Sequence, residues 1–185
     1  KHLRLHNGTI WRWNRPLVGY DADGTPHLRI EHRVCATAPS MIDNIANIAF
    51  FYGLVHYYAT CDEAPESLMP FADAKNDFYR CAQLGLKHKT KWLGDKVDTM
   101  QKLILDQLLD HAQTGLYQLG IDHEDAERYL SIIEQRVKNN LTGSQWQLNF
   151  LNAHQDNRKL LTLNYLNNQN AGQPVHEWDL ETTAC

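Results

Sequence analysis

The sequence predicts an α+β fold, in which a short antiparallel β-hairpin or half-sheet at the amino terminus precedes a mainly helical bundle. Two observations lead to this prediction. Residues 9–15 and 28–36 are rich in β-forming residues, and the turn residues Gly19, Asp23-Gly24 and Pro26 lie between them. From residue 98 onward, apolar residues recur at helical spacing in four segments joined by short turns. The 185 residues are enough for one domain with a core.

The first two strands are expected to be antiparallel neighbours, and the first should end where Pro16 interrupts it. In the second strand, a period of two separates an apolar side from a polar side, which is typical of a half-buried strand. The apolar side holds Leu28, Ile30, Val34 and Ala36, and the polar side holds Arg29, Glu31, Arg33 and Cys35. Glu31 is therefore expected to lie between two guanidinium groups.

The polar side of the second strand has two interpretations. A carboxylate is a hard oxygen ligand that suits Mg²⁺, and an arginine two residues away offers a planar fork to a phosphate or a carboxylate. The alternative is a solvent-exposed row of Arg–Glu–Arg ion pairs of the kind that protects a sheet edge. Composition alone favours this alternative.

A long apolar helix is predicted after the hairpin. Ser40 is a suitable N-cap, Asp43 lies in the first turn, and residues 41–58 are apolar on nearly all sides. This pattern indicates a helix that is buried in the core beneath the sheet. Asp73 is expected to cap a second helix over residues 74–86. The basic run at residues 87–91 is interpreted as a solvent-exposed loop, with a phosphate-facing loop as the alternative.

Four further helices are predicted to form the bundle, with the first of them ended by Gly120. Their first residues are expected at Asp98, Asp122, Thr142 or Gly143, and Asp156. A polar stop follows at residues 167–173. A short tail over residues 174–180 is expected to dock through Val175 and Trp178.

Composition and motifs exclude several functional classes. The net charge of −4 gives no basic excess for nucleic acid or for an anionic membrane surface. Polar residues interrupt the apolar run at residues 41–59, so no membrane span is expected. The four cysteines show no C-x-x-C spacing, which favours free thiols in the cytoplasm over a zinc or redox site. No metalloprotease, serine-hydrolase, dinucleotide-binding or P-loop motif is present.

Three segments resemble a known enzyme family. They are His6-Asn7-Gly8-Thr9-Ile10-Trp11-Arg12-Trp13-Asn14-Arg15-Pro16, Leu28-Arg29-Ile30-Glu31-His32-Arg33-Val34 and Thr142-Gly143-Ser144-Gln145-Trp146-Gln147. They resemble the carboxyl-terminal part of glutamate–cysteine ligase-like proteins, the bacterial carboxylate–amine ligases related in fold to glutamine synthetase. Pro39 and the apolar helix at residues 41–58 fit the continuation of that pattern.

The resemblance implies a partial glutamine synthetase-like catalytic domain that acts with ATP and Mg²⁺. Such enzymes activate a carboxylate, usually that of glutamate, as an acyl phosphate that an amine then attacks; with cysteine as the amine, this step belongs to glutathione biosynthesis. By resemblance, Glu31 is a Mg²⁺ ligand, Arg33 contacts the transferred phosphate, and Arg15 binds the substrate carboxylate or a phosphate. Arg29 and Arg12 are further candidates for binding the nucleotide.

The resemblance also implies that the chain is the carboxyl-terminal portion of a larger ligase. Further metal ligands in the family lie on strands nearer the amino terminus, so the chain alone is expected to be inactive without the missing half. Residues 1–38 are expected to carry strands of the active-site sheet, residues 39–170 the helices, and residues 171–185 a tail. The competing interpretation is a non-catalytic helical interaction or regulatory domain. An exposed sheet edge with an apolar face also favours a homodimer.

Overall fold

A computed structural model describes residues 14–35 and 37–182 of the chain. The chain forms two compact units, Lys1–Ala38 and Pro39–Cys185. Within the described residues, the first unit is a two-stranded antiparallel hairpin, and the second contains helices and one further small hairpin. The predicted α+β class, a short amino-terminal hairpin followed by a helical bundle, is confirmed. None of the described helices is long and apolar enough to cross a lipid bilayer.

The hairpin of the first unit pairs strand β1 (Asn14–Tyr20) with strand β2 (Pro26–His32). The register runs from Asn14 opposite His32 to Tyr20 opposite Pro26. In the turn, the backbone N–H of Asp21 donates to the carbonyl of Thr25 at 2.9 Å, and Gly24 adopts a φ of 85° that favours glycine. The predicted antiparallel pairing of the two strands is therefore confirmed.

The predicted strand limits are wrong in two places. Strand β1 continues through Pro16 to Tyr20 instead of ending at Arg15. Each strand of a two-stranded hairpin has an unpaired edge, and a proline is tolerated on an edge because its missing N–H is not needed there. Strand β2 ends at His32, before the predicted end at residue 36. Residues 9–13 of the first predicted strand, including Arg12, lie outside the described residues.

Strand β2 was expected to be half-buried, with its apolar side covered, and this is wrong. Leu28 is 80% exposed and Ile30 is 68% exposed, while Glu31 on the other side is only partly exposed. Val18 and Tyr20 of β1 are also largely exposed. A two-stranded hairpin has no layer of its own that covers a face, so alternation in the sequence alone cannot guarantee burial.

Helices dominate the second unit. In chain order, the described elements are α1 (Met41–Ala59), α2 (Pro65–Leu68), α3 (Phe71–Leu84), a 3₁₀ turn (Gly85–Lys87), β3 (Lys89–Lys91), β4 (Val97–Thr99), α4 (Met100–Leu103), a π-helical turn (Ile104–Leu108), α5 (Leu109–Gln118), α6 (His123–Lys138), α7 (Gly143–Ala153), α8 (Arg158–Ala171) and a second 3₁₀ turn (Val175–Glu177). The segments α4, the π turn and α5 follow one another without a break, so they act as one long helix.

Helix α1 begins as predicted, and one stripe along it is exposed. Ser40 is its N-cap, with the side-chain oxygen accepting from the backbone N–H of Asp43 at 3.3 Å. One face of α1 packs against α5 and α6, where Ala46 and Gly53 are buried. The opposite face is open, and Met41 there is 72% exposed. The sequence does not reveal this exposed stripe, because a helix that is apolar nearly all round does not show which face finds a partner.

Two glycines bring α1 and α5 into backbone contact. A Cβ atom on Gly53 would lie 2.2 Å from the carbonyl oxygen of Ala112, and a Cβ atom on Gly115 would lie 2.0 Å from the carbonyl oxygen of Gly53. Only glycine fits at distances of this kind. The close approach of the two helices therefore depends on this glycine pair.

The basic run at residues 87–91, predicted as a solvent-exposed loop, contains a strand instead. Lys89–Lys91 forms β3, which pairs antiparallel with β4 (Val97–Thr99). Asp98, the predicted start of a helix, lies inside β4, and Thr99 caps the helix instead. Helix α3 also begins earlier than expected, because Pro70 is its N-cap and Asp73 lies in its first turn.

The later helix starts are mostly as predicted. The carboxylate of Asp122 accepts from the backbone N–H of Glu124 at 2.9 Å, and the hydroxyl of Thr142 accepts from the backbone N–H of Gln145 at 3.3 Å. Asn157, not Asp156, caps α8. Helix α8 runs to Ala171, beyond the start of the predicted polar stop, and ends at Gly172.

The tail docks as predicted. Val175 is fully buried and Trp178 is 4% exposed. Both pack against Trp146 and Phe150 of α7 in one apolar cluster. The indole N–H of Trp146 also donates to the carbonyl of Asp179 at 2.8 Å. The tail is therefore part of the core of the second unit.

Candidate functional site

The hairpin register brings Arg15 directly opposite Glu31. The Nη2 and Nε atoms of Arg15 approach Oε2 of Glu31 at 2.6 Å and 2.8 Å. Directly opposite positions of an antiparallel pair share one face of the sheet, so two extended side chains can meet there. The closest of the three arginines to Glu31 is thus Arg15 across the hairpin, and not Arg29 or Arg33, its neighbours along the chain.

The second guanidinium near Glu31 belongs to Arg33, which follows the end of β2. Its Nη1 atom lies 3.9 Å from the same Oε2 atom. Arg29 is exposed, and its Nη2 atom lies 3.1 Å from the position that a Cβ on Gly19 would take, so this side chain extends toward the turn. Arg12 is outside the described residues. Of the predicted arginines, the structure therefore brings Arg15 and Arg33 together at Glu31.

The side chain of Glu31 remains partly exposed beside the two guanidinium groups. Its side chain is 37% exposed, against 18% for Arg15 and 28% for Arg33. The two partly exposed guanidinium groups provide positive charge and N–H donors, which are what binding of a phosphate or a carboxylate requires. The alternative of a structural ion pair is compatible with the same distances, and such a partly exposed pair stabilises a fold by only about 0.2–1 kcal/mol.

The described residues do not form a metal site by themselves. No group of three or more His, Cys, Asp or Glu side chains that could hold a metal ion occurs in residues 14–35 and 37–182. Magnesium is commonly held by one or two carboxylates together with substrate phosphates and water. Glu31 could serve as one such carboxylate only in a site where other groups supply the remaining ligands.

A contact around Cys35 was not foreseen from the sequence. Nδ1 of His32 lies 2.8 Å from Oδ1 of Asn14, and Nε2 of the same ring lies 3.6 Å from Sγ of Cys35. If the amide oxygen accepts from Nδ1–H, Nε2 is left to accept from the thiol. No spacing in the sequence reveals this set, because Asn14 reaches His32 only through the hairpin register.

A buried carboxylate, Asp43, organises the second unit. It is fully buried and accepts hydrogen bonds from the hydroxyl of Ser40 at 2.8 Å, the backbone N–H of Val175 at 3.0 Å and Nη2 of Arg136 at 2.9 Å. Burial lowers the pKa of Arg136, and the charge of Asp43 opposes this shift. Because this cluster is closed to solvent, it is a structural tie between α1, α6 and the tail.

Another buried cluster joins α3 to β3. Nε2 of His88 lies 2.8 Å from Oδ1 of Asp77, and the hydroxyl of Thr90 donates to the other oxygen of the same carboxylate. His88 and Thr90 are 6% and 5% exposed. The sequence does carry a signal for this strand. Lysines alternate with His88 and Thr90, and a period of two indicates a strand with one buried side.

Comparison with known proteins gives no assignment: no family model, no curated protein and no solved structure matches the chain.

Proposed function

We propose that the hairpin supplies phosphate-binding and Mg²⁺-binding side chains to an ATP-dependent carboxylate–amine ligase similar to glutamate–cysteine ligases. The observation that carries the proposal is the convergence of Arg15 and Arg33 on the partly exposed carboxylate of Glu31. The resemblance of the surrounding sequence supports the same class. Further metal ligands are proposed to come from the rest of the ligase.

In the proposed reaction, a carboxylate oxygen of glutamate attacks the γ-phosphorus of ATP, ADP leaves with the electrons of the broken bond, and an acyl phosphate forms. An amine then attacks the acyl carbon, inorganic phosphate leaves, and the amine loses a proton to solvent. Arg33 contacts the transferred phosphoryl oxygens as charge spreads over them, and Arg15 holds Glu31 in place. Mg²⁺, when bound, neutralises phosphate charge beside Glu31. Glutamate and the amine are the small-molecule partners.

The test uses the full-length gene product with ATP, Mg²⁺, glutamate and hydroxylamine, which traps an acyl phosphate as a hydroxamate. Glu31→Gln and Arg33→Lys are expected to lower the rate by roughly 100-fold or more. Glu31→Gln removes the charge proposed to bind Mg²⁺, and Arg33→Lys removes the planar fork proposed to contact the phosphoryl group. The Glu31→Gln variant should also require more Mg²⁺. Arg158→Gln is the matched control, because Arg158 is 80% exposed and lies in the second unit.

Full hydroxamate formation and an unchanged Mg²⁺ dependence in Glu31→Gln would remove Glu31 from the site. Circular dichroism of each variant separates a lost site from a lost fold. A cytoplasmic location is part of the proposal, because Cys35, Cys61 and Cys81 are free thiols of the kind that a reducing compartment maintains.

The second candidate function is a non-catalytic helical interaction or regulatory domain. The open face of α1 favours it, since Met41 and Tyr52 there are 72% and 58% exposed. A full-length product that forms no hydroxamate with any carboxylate substrate, and whose ATP affinity is unaffected by Glu31→Gln, would favour this function over the ligase.

A further inference from the structure

The open face of α1 carries a regular row of large apolar side chains, which we name the outer stripe. It consists of Met41, Ile45, Ile48, Tyr52 and Val55, which are 72%, 37%, 54%, 58% and 48% exposed. Their spacing alternates between four and three residues. This spacing is the one that two helices use when they pack along each other over several turns. The outer stripe therefore has the pattern of a helix–helix contact that lacks its second helix.

An apolar groove of about 380 Å³ lies beside the outer stripe. One wall is α1, and the other is formed by the end of α5 and the start of α6, where Leu119 and Ile121 are 46% and 42% exposed. Asp125 is the one charged side chain among the described residues that line it. A ridge and a groove are thus adjacent on one surface, which is what ridges-into-grooves packing between two helical surfaces requires.

We propose that the outer stripe and its groove form the contact surface between two copies of this chain. A two-fold axis through the surface would place the ridge of each copy in the groove of the other, since an isologous interface uses the same patch on both partners. The contact surface lies within the second unit, and the proposal does not depend on the proposed ligase activity.

The available area matches what a stable dimer needs. Seven side chains, the outer stripe with Leu119 and Ile121, are each about half exposed. At about 150 Å² for a large apolar side chain, the low end of the aromatic range, they offer roughly 500 Å² of apolar surface per copy, close to the apolar share of about 65% of a homodimer interface. Stable interfaces bury about 800 Å² per partner, with apolar residues at the centre.

The charge pattern also favours self-association. In an isologous contact, identical residues lie near one another across the axis, so a charge on the surface would meet its own copy. Helix α1 contains no Lys, Arg, Asp or Glu from Asn44 to Ala59, so Asp125 on the other wall of the groove is the one charge of its described lining that a second copy would meet. Asp43, just before this stretch, is fully buried and pairs with Arg136, so its charge does not face a second copy.

The test is the mass of the chain in solution, measured by light scattering and sedimentation over a range of concentrations. We expect a dimer of twice 21.4 kDa. Ile48 lies at the middle of the outer stripe, and Ile48→Glu introduces two like charges near the axis. Because both copies also lose an apolar contact, dimerisation should weaken by about 100-fold or more. Leu148→Glu is the matched control, since Leu148 is 56% exposed on α7, outside the contact surface.

A charge-pair experiment makes the test specific. Mixing Ile48→Glu with Ile48→Lys should restore a dimer that neither variant forms alone, because opposite charges then meet. Tyr52→Glu provides a second disruptive variant one turn away. A wild-type chain that stays monomeric at every concentration overturns the proposal. So does a dimer that survives Ile48→Glu and Tyr52→Glu but is lost with Leu28→Glu on the hairpin.

Discussion

Replacing Gly115 by alanine is expected to destabilise the helical unit, although the same change stabilises most helices. Helix propensity favours alanine over glycine by about 1 kcal/mol. A Cβ atom at residue 115 would, however, lie 2.0 Å from the carbonyl oxygen of Gly53 and 3.0 Å from the backbone nitrogen of Tyr57. Both atoms belong to the backbone of α1, so no rotation of a side chain can relieve the contact.

The magnitude follows from how far the helices must separate. The new Cβ would fall 1.4 Å inside the 3.4 Å at which ordinary contact begins, so α1 and α5 must move apart by a similar distance. Separation opens space around Ala46 and Ala112, which are now fully buried. Overpacking and the resulting gaps cost several kcal/mol together, and after the gain in propensity we expect a net loss of about 2 kcal/mol or more.

The assay is urea unfolding followed by far-ultraviolet circular dichroism, which reports on the helices. Gly115→Ala should lower the midpoint without a change in slope. Gly94→Ala is the control, because the nearest atom to its new Cβ is 3.8 Å away. Its free energy of unfolding should stay within about 0.5 kcal/mol of that of the parent chain. Combining Gly115→Ala with Gly53→Ala should cost less than the sum of the two, since one separation of α1 from α5 relieves both clashes. A midpoint for Gly115→Ala equal to or above that of the parent chain would refute the reasoning.

Three further outcomes are expected. Arg136→Met leaves the fully buried charge of Asp43 unpaired and should cost about 3–5 kcal/mol in thermal unfolding; a loss near zero would contradict this. Burial lowers the pKa of His176 from its usual value of 6.5. The unfolded chain therefore binds a proton at His176 more readily than the folded chain does. The stability that comes from keeping His176 neutral is complete above about pH 6.5 and is lost as the pH falls below that value. His176→Gln should flatten the acid side of the curve of Tm against pH, and an unchanged curve would speak against the shift. Cys35, exposed beside an imidazole, should react with iodoacetamide faster than Cys61, whose thiol donates to a backbone carbonyl at 3.2 Å; peptide mass mapping that shows equal rates would contradict the ranking.

The features that were predicted correctly depend on residues close together in the chain. Ser40, Asp122 and Thr142 act as caps because a cap is decided within about four residues. The docking of Val175 and Trp178 followed from two large apolar residues in an otherwise polar segment. Local physical chemistry was sufficient in these places.

The features that were missed depend on partners far away in the chain. The alternation within one strand predicts Arg29 and Arg33 as the neighbours of Glu31, whereas its closest arginine, Arg15, is placed there by the hairpin register. The sequence predicts His88 in an exposed loop because its partner, Asp77, lies on another element and cannot be identified from nearby residues. The open face of α1 could not be distinguished from its buried face, since both are apolar. Identifying which face is covered requires knowledge of the tertiary neighbours.

The hydrogen bond between Asp43 and the backbone of Val175 spans 132 residues of chain. During synthesis, Asp43 near the start of α1 cannot form this hydrogen bond until the intervening residues have been added. At ordinary rates of translation, the delay is on the order of 10 s. Throughout that interval, water has to solvate a charge that the finished protein seals away. The amino-terminal helix of the unit is therefore among the first parts to be made and among the last to reach its final environment.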